Sequence, residues 1–433
     1  MEQKKELLFL ILNNCQMEKE NETTRVANRA YPEADTLQTG SLTNKRRIES
    51  IDILRGIVMV IMALDHSRDY FHTADAPLNL ATTTTFLFFT RWITHFCAPI
   101  FVFLSGTSIY LQSLRKTKKT LQSFLIKRGL WLIFIEVFVI SFAWTFNPNY
   151  NLIIFQVIWA IGISMVCLGL LIRLPYNFIL VLGLVIVFGH NILDFAEAAP
   201  GFKAGFWWDL FHHGNFAMYP ITQNHILLIL YPFVPWAGLM MLGYCTGIFF
   251  SSKYSAVQRG KILNRIGVAL LLFFIVLRFV NVYGNPEPWS SQKNAWFTVL
   301  SFINVHKYPP SLLYMCIMMG PAFLLLAFFE KVQNGFTKKI RIYGRVPFFY
   351  YVLHLYLIHL ISAIVYLAHG HTIAQATTSG PNIPFYFLAA NDGYSLGIVY
   401  IVWISVVVAL YPVCRWYNNY KSNHRENWWL SYL

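Results

Sequence analysis

Apolar residues in this chain fall into blocks of about 20, the length at which a helix rising 1.5 Å per residue crosses the hydrocarbon core of a bilayer. Ten blocks are legible, at 51–72, 92–114, 124–146, 152–172, 177–196, 227–250, 262–283, 309–330, 345–369 and 394–415, with short polar segments between them. The pattern predicts an all-α fold, a polytopic integral membrane protein of about ten transmembrane helices. Residues 1–47 read as a polar, disordered cytoplasmic tail, 48–417 as the membrane domain and 418–433 as a second cytoplasmic tail. The run LLFLIL at 7–12 is too short to span, and the NNCQMEKENE after it is no signal-peptide cleavage site.

The polar segments fix the orientation. Lys and Arg are concentrated in alternate connections, 22 on one side against Lys203, Lys293 and Lys307 on the other. Positive segments stay in the cytoplasm, so both termini are expected there. The net charge of +14 is therefore mainly an orientation signal. Because the basic residues are dispersed beside apolar spans, they form no patch of the kind that binds nucleic acid. At 12% charged and 56% hydrophobic residues the chain has too few charges to solvate a globule of 433 residues. Its six cysteines are scattered without a CxxC pair, which argues against a disulfide framework and against a metal site. There is no Walker loop, GxGxxG or HExxH, and no internal repeat of the sort that builds many transporters.

Ionisable side chains inside a span are costly and usually mark a cavity, which makes them the candidates for chemistry. The first block, SIDILRGIVMVIMALDHSRDYFH, holds Asp52, Arg55, Asp65, His66, Arg68, Asp69 and His72. Eleven residues separate Arg55 from His66, which returns the helix to within about 20° of the same face some 16 Å further on (roughly, at 100° and 1.5 Å per residue). The expectation is one cavity met at two depths. Asp69, three residues beyond His66, and Asp65 beside it are placed to orient the imidazole as a general base. The competing reading is a structural cluster at a helix end. Arg91, His95, Glu136, His190, Asp194, Arg278, His354 and His359 are further ionisable residues in or at the ends of spans. Proline signals at YPFVPW, KYPPS and GRVPF predict helix starts that set Lys307 or Arg345 at cavity mouths. The loops 197–226 and 284–308 mix aromatic rings with Asn, Asp, His and Gln, which suits sugar faces and hydroxyls as well as an interfacial aromatic belt.

SIDILRG and MALDH, then TRWITHFCAPIFVFLSGTS, HNILD, YPFVPW, KYPPS and GRVPFFYYVLH, together resemble bacterial members of the heparan-alpha-glucosaminide N-acetyltransferase catalytic-domain family, over about residues 46–415. The Arg, ten residues, His spacing is also similar to the wider group of transmembrane acyltransferases that O-acylate surface polysaccharides. The resemblance implies an enzyme of the bacterial inner membrane. It would carry an acetyl group from cytoplasmic acetyl-CoA, its donor substrate, to an amine or hydroxyl of a sugar or glycan on the far side. It implies a catalytic His in or after the first span. His66 is the first candidate, with Asp65 and Asp69 beside it, and His72 the second, because the active His of the lysosomal enzyme matches a position nearer His72. Asp52, Arg55, Arg345 and His354 are assigned to the CoA side, and Arg91, His95, Lys307 and Tyr308 to the acceptor. The expected partners are the lipid bilayer, an acyl-CoA and the glycan, with a homodimer as the candidate assembly.

Three functions compete at this level. An acyltransferase uses His66 either as a base in direct transfer or as a covalent acyl carrier. A proton-coupled transporter of a sugar or lipid would use the same buried Asp, His and Arg as a relay, against the missing repeat and the concentration of charge in one span. A non-catalytic scaffold leaves the His cluster without a purpose.

Overall fold

The computed structural model describes residues 48–72, 76–378, 385–388, 393–424 and 426–431. The predicted tail over 1–47 lies outside the described residues. Helix α1 (Glu49–Phe71) is followed by α2 (Thr85–Thr94), α3 (Cys97–Ser113), α4 (Lys118–Ile135), α5 (Ser141–Thr145), α6 (Val157–Leu171), α7 (Tyr176–Gly189), α8 (Leu193–Glu197), α9 (Phe206–Phe211) and α10 (Phe233–Thr246). Then come α11 (Ala256–Val280), α12 (Ala295–Ile303), α13 (Leu312–Phe329), α14 (Gly335–Arg345), α15 (Pro347–Ala368), α16 (Ile373–Thr378) and α17 (Leu396–Asn423). Among the described residues seven helical stretches are long and apolar enough to cross a membrane: Thr85–Ser113, Tyr176–Glu197, Phe233–Phe250, Ala256–Val280, Leu312–Phe329, Pro347–Ala368 and Leu396–Asn423. The predicted blocks 51–72, 124–146 and 152–172 also fall on helices. Of these, α1 and α4 carry several charges, and α6 has only 15 residues.

The all-α expectation needs one correction. Strands β1 (Leu152–Phe155), β2 (Ala217–Thr222) and β3 (His225–Ile229) form a small sheet in the order β1-β3-β2, with β1 parallel and β2 antiparallel to β3. Two predicted spans therefore start too early, because residues 152–155 and 227–229 are strand. A short apolar run reads alike as strand or helix, and here each continues directly into a helix that hides the boundary. Other boundaries follow local chemistry. Side chains of Thr84, Ser311 and Asn334 cap α2, α13 and α14, and Pro347 opens α15, where no amide donor is required.

Helix α1 is buried along most of its length and packs against α2, α3, α13, α14, α15 and α17. Its crossing with α14 is backbone on backbone. A Cβ on Gly344 would lie 1.8 Å from the Asp52 carbonyl oxygen, and one on Gly56 would lie 2.1 Å from that of Ile340. Apolar lipid gives two helices little reason to associate, so close approach through small residues and the dispersion it brings hold this pair.

Candidate active site

Met62, Asp65, His66 and Asp69 recur at i, i+3, i+4 and i+7 on α1, so they share one face. That face walls a cavity of about 320 Å³. Helix α2 adds Arg91 and Thr94, and the break after it lets α3 present Cys97 and Ala98. Trp144 from the end of α5, Gln156 and Val157 at the β1–α6 junction, and Tyr351 from α15 close the sides. Loop residues Phe216, Tyr231, Lys307 and Tyr308 complete the wall.

The centre of the site is a pair of stacked imidazoles. His66 Nδ1 lies 2.8 Å from His354 Nε2, the rings being 4.9 Å apart and 8° from parallel. His354 Nδ1 is 2.9 Å from the Tyr350 carbonyl oxygen, which only accepts, so that nitrogen carries the proton and donates. In the neutral ring His354 Nε2 is then an acceptor, and His66 Nδ1 must be the donor to it. The partners thus assign the tautomers and leave the lone pair of His66 on Nε2. Trp144 meets the His66 ring edge-on at 4.9 Å, holding it in place.

The carboxylates are engaged elsewhere. Arg91 Nη1 lies 2.6 Å from both Asp65 oxygens, and Arg68 Nη2 is 3.1 Å from Asp65 Oδ1. Asp69 pairs with Arg68. Neither carboxylate hydrogen-bonds His66 among the described residues, and the ring's hydrogen-bond partner is instead His354, a residue expected on the CoA side. A carboxylate gains far more from an adjacent guanidinium than from a neutral imidazole, which is why spacing alone pointed to the wrong partner. Three cations, Arg68, Arg91 and Lys307, face the two carboxylates, so the cavity carries a formal surplus of one positive charge. Burial alone would raise the Tyr308 phenol; the Lys307 ammonium and the Arg91 guanidinium outweigh it and hold that group below its ordinary value.

The remaining expected residues divide by place. Lys307, Tyr308 and Arg91 line the His66 cavity, whereas His95 lines a neighbouring cavity of about 330 Å³ that shares those three residues. His72 ends α1 in a bridge to Tyr394 and is not part of the His66 cavity wall. Arg55 does not line it either, so the expected single cavity is not what forms around His66. Arg55 and Arg345 converge instead on Asp52, at 3.9 and 3.7 Å, near the other end of α1. Arg55 also donates to the Leu104 carbonyl at 2.9 Å and to Ser108. Trp144, Gln156, Tyr231, Phe216 and Tyr351 were not foreseen. Tyr231 stands in the YPFVPW motif and Phe216 in the aromatic 197–226 loop, while Tyr351 stands three residues before His354 on one helical face.

Residues 47–278 match the family model described as heparan-alpha-glucosaminide N-acetyltransferase, catalytic. No curated protein matches the chain. The matched segment supplies α1 with His66, both arginines that hold Asp65, and Trp144 and Tyr231, and this family consists of membrane acyltransferases that use acetyl-CoA. More than half of the 433 residues lie under that model, and the chain belongs to the heparan-alpha-glucosaminide N-acetyltransferase catalytic family.

Proposed function

We propose that this chain transfers an acetyl group from cytoplasmic acetyl-CoA to an amine or hydroxyl of an extracytoplasmic sugar or glycan, with His66 as general base. In this reading it crosses the bacterial inner membrane ten times, with both ends in the cytoplasm. The observation that carries it is the His66–His354 pair, which leaves one basic nitrogen, Nε2, on a residue that walls a polar cavity. The acceptor nitrogen or oxygen attacks the thioester carbonyl carbon while His66 Nε2 takes its proton. The new C–N or C–O bond forms, the C–S bond breaks, and the imidazolium returns the proton to the departing CoA sulfur. Negative charge that develops on the carbonyl oxygen is met by the surplus positive charge of Arg68, Arg91 and Lys307. Arg55 and Arg345, which meet at Asp52 near the other end of α1, are the cations assigned to the CoA phosphates in this reading.

The test is release of CoA thiol by the purified full chain in proteoliposomes given acetyl-CoA and glucosamine. His66→Ala should lower turnover by about 10²- to 10⁴-fold, the usual size of a general-base contribution, with an unchanged melting curve. His72→Ala should turn over at nearly the wild-type rate. The reverse pattern would move the base to His72. Sugar uptake without any thiol release would replace the acyltransferase by a transporter.

A further inference from the structure

The HNILD segment after α7 holds a second cluster of ionisable groups, none of which lines the His66 cavity. His190, Asp194 and Glu197 recur at i, i+4 and i+7 through the short turn His190–Ile192 and α8. Helix α9 ends opposite them and presents His212, which both His190 and Glu197 reach. Ligand atoms of Asp194, Glu197 and His212 all lie within 4.8 Å of one another. The two imidazoles are buried, His212 at 2% and His190 at 6% exposure.

Hydrogen bonds account for only part of this arrangement. Glu197 Oε1 lies 2.7 Å from His212 Nδ1 and accepts from Trp208 Nε1 at 2.7 Å. A carboxylate only accepts, so His212 Nδ1 carries the proton, His212 Nε2 is the acceptor, and His190 Nδ1, 3.1 Å away, donates to it. His190 Nε2 and Asp194 Oδ1 are then buried acceptors without a donor among the described residues. No Lys or Arg pairs with either carboxylate among those residues, in contrast to Asp65 and Asp69, which have Arg68 and Arg91. Two carboxylates with lone pairs left over in a largely buried cluster call for a cation.

We propose that His190, Asp194, Glu197 and His212 form a binding site for a divalent transition-metal ion of the zinc type. The site is independent of the acyltransferase reading. Two imidazoles with two carboxylates suit zinc, whereas magnesium and calcium take oxygen ligands. Four protein ligands make a closed, structural site that leaves no position open for chemistry. The surroundings hold the carboxylates as outer partners hold metal ligands. Asn191 Oδ1 accepts from the Leu312 N–H at 2.8 Å, which fixes the amide, and its Nδ2 donates to Asp194 at 2.7 Å. Trp208 does the same for Glu197. The ion ties α8 to the end of α9, four residues before Phe216, which walls the His66 cavity. Its role is to anchor that loop. The set contains no cysteine, so cysteine spacing gave no sign of it.

The experiment measures the metal content of the full chain, purified in detergent through a tag without histidine, by elemental mass spectrometry. About one zinc per chain should survive desalting. A chelator should remove it and lower Tm by several degrees, and Zn²⁺, but not Mg²⁺ or Ca²⁺, should restore the curve. Asp194→Asn and Glu197→Gln, which keep the side-chain shape, should melt with the chelated wild type and lose both the ion and the response to zinc. His225→Ala, which removes an imidazole of the same loop outside the cluster, should keep both. Co²⁺ added to the chelated wild type should give visible absorption bands of a tetrahedral site, a readout that needs no variant to fold. A wild type that carries no metal and whose melting curve zinc does not move would overturn the site, as would Asp194→Asn or Glu197→Gln holding zinc at the wild-type level. Either result would leave a hydrogen-bonded cluster, and thiol release tests the acyltransferase reading separately.

Discussion

The two ends of α1 carry much the same residue types in different states. At the Arg55 end the charges are spent on one another. Asp52 sits between Arg55 and Arg345, Glu49 pairs with Arg341, and Glu330 takes Arg259 and the Ser50 hydroxyl, the last at 2.5 Å. The backbone of α14 presses on the Asp52 carbonyl through Gly344, leaving no room between the helices. At the His66 end the carboxylates are likewise neutralised by Arg91 and Arg68, but among the described residues the imidazole pair is hydrogen-bonded on three of its four nitrogens, and His66, which carries the fourth, belongs to a cavity wall. A charged cluster in a membrane span is therefore chemically informative when its hydrogen-bond accounting leaves a group over, and otherwise it serves to hold helices together.

The largest expected effect tests whether Asp65 is truly structural. Asp65→Asn strands the buried Arg91 guanidinium and leaves Arg68 to Asp69 alone, and should cost about 3–5 kcal/mol of stability, read as early thermal unfolding of the detergent-purified protein. An unchanged melting curve would mean that solvent, and not Asp65, satisfies Arg91. Next is His354→Phe, which removes the acceptor that fixes the His66 tautomer. It should lower kcat by about 100-fold, or about 2.7 kcal/mol, with the KM for acetyl-CoA near wild type, while the unmet buried His66 Nδ1–H costs about 1–3 kcal/mol of stability. A full rate in that variant would detach catalysis from the imidazole pair.

A smaller change probes the closed end. Gly344→Ala forces α14 off the Asp52 carbonyl and should cost about 1–3 kcal/mol of stability, while each folded molecule keeps its rate. Loss of rate without loss of stability would show that this crossing belongs to the reaction. The smallest effect is expected from Asp69→Asn. Its partner Arg68 remains held by Asp65, so turnover should change by less than about threefold, in keeping with the modest worth of a partly exposed ion pair. A drop as deep as that of His354→Phe would restore Asp69 as the orienting group.

Much of the helical framework was legible in the sequence because a bilayer leaves the backbone few choices. Helices must satisfy their own hydrogen bonds in lipid, so block length and apolarity located the seven stretches from Thr85–Ser113 to Leu396–Asn423 to within a few residues at most ends. Where that constraint lapsed, legibility lapsed too. Residues 152–155 pair as a strand with 225–229, and 225–229 pairs on its other edge with 217–222, which the pattern left as loop. Nothing in an apolar tetrapeptide distinguishes that outcome from the first turn of a helix.

The candidate site divides along the same line. The sequence by itself marked the polar residues of the first span, His66, Asp65, Asp69 and His72, as costly without a use, set Arg91, His95, Lys307 and Tyr308 on the acceptor side, and grouped Arg55 with His66, which the structure separates. It also carried the family, through short motifs in a fixed order. Only the tertiary structure decided who pairs with whom. His66 and His354 are 288 positions apart, and no local period links them. Spacing alone lets Asp69 reach either Arg68 or His66, and it takes Arg68 because charge favours the guanidinium and α15 brings His354 to the imidazole. Contacts between helices are set by packing and electrostatics summed over the whole bundle, whereas each helix is set by its own residues and the lipid around it.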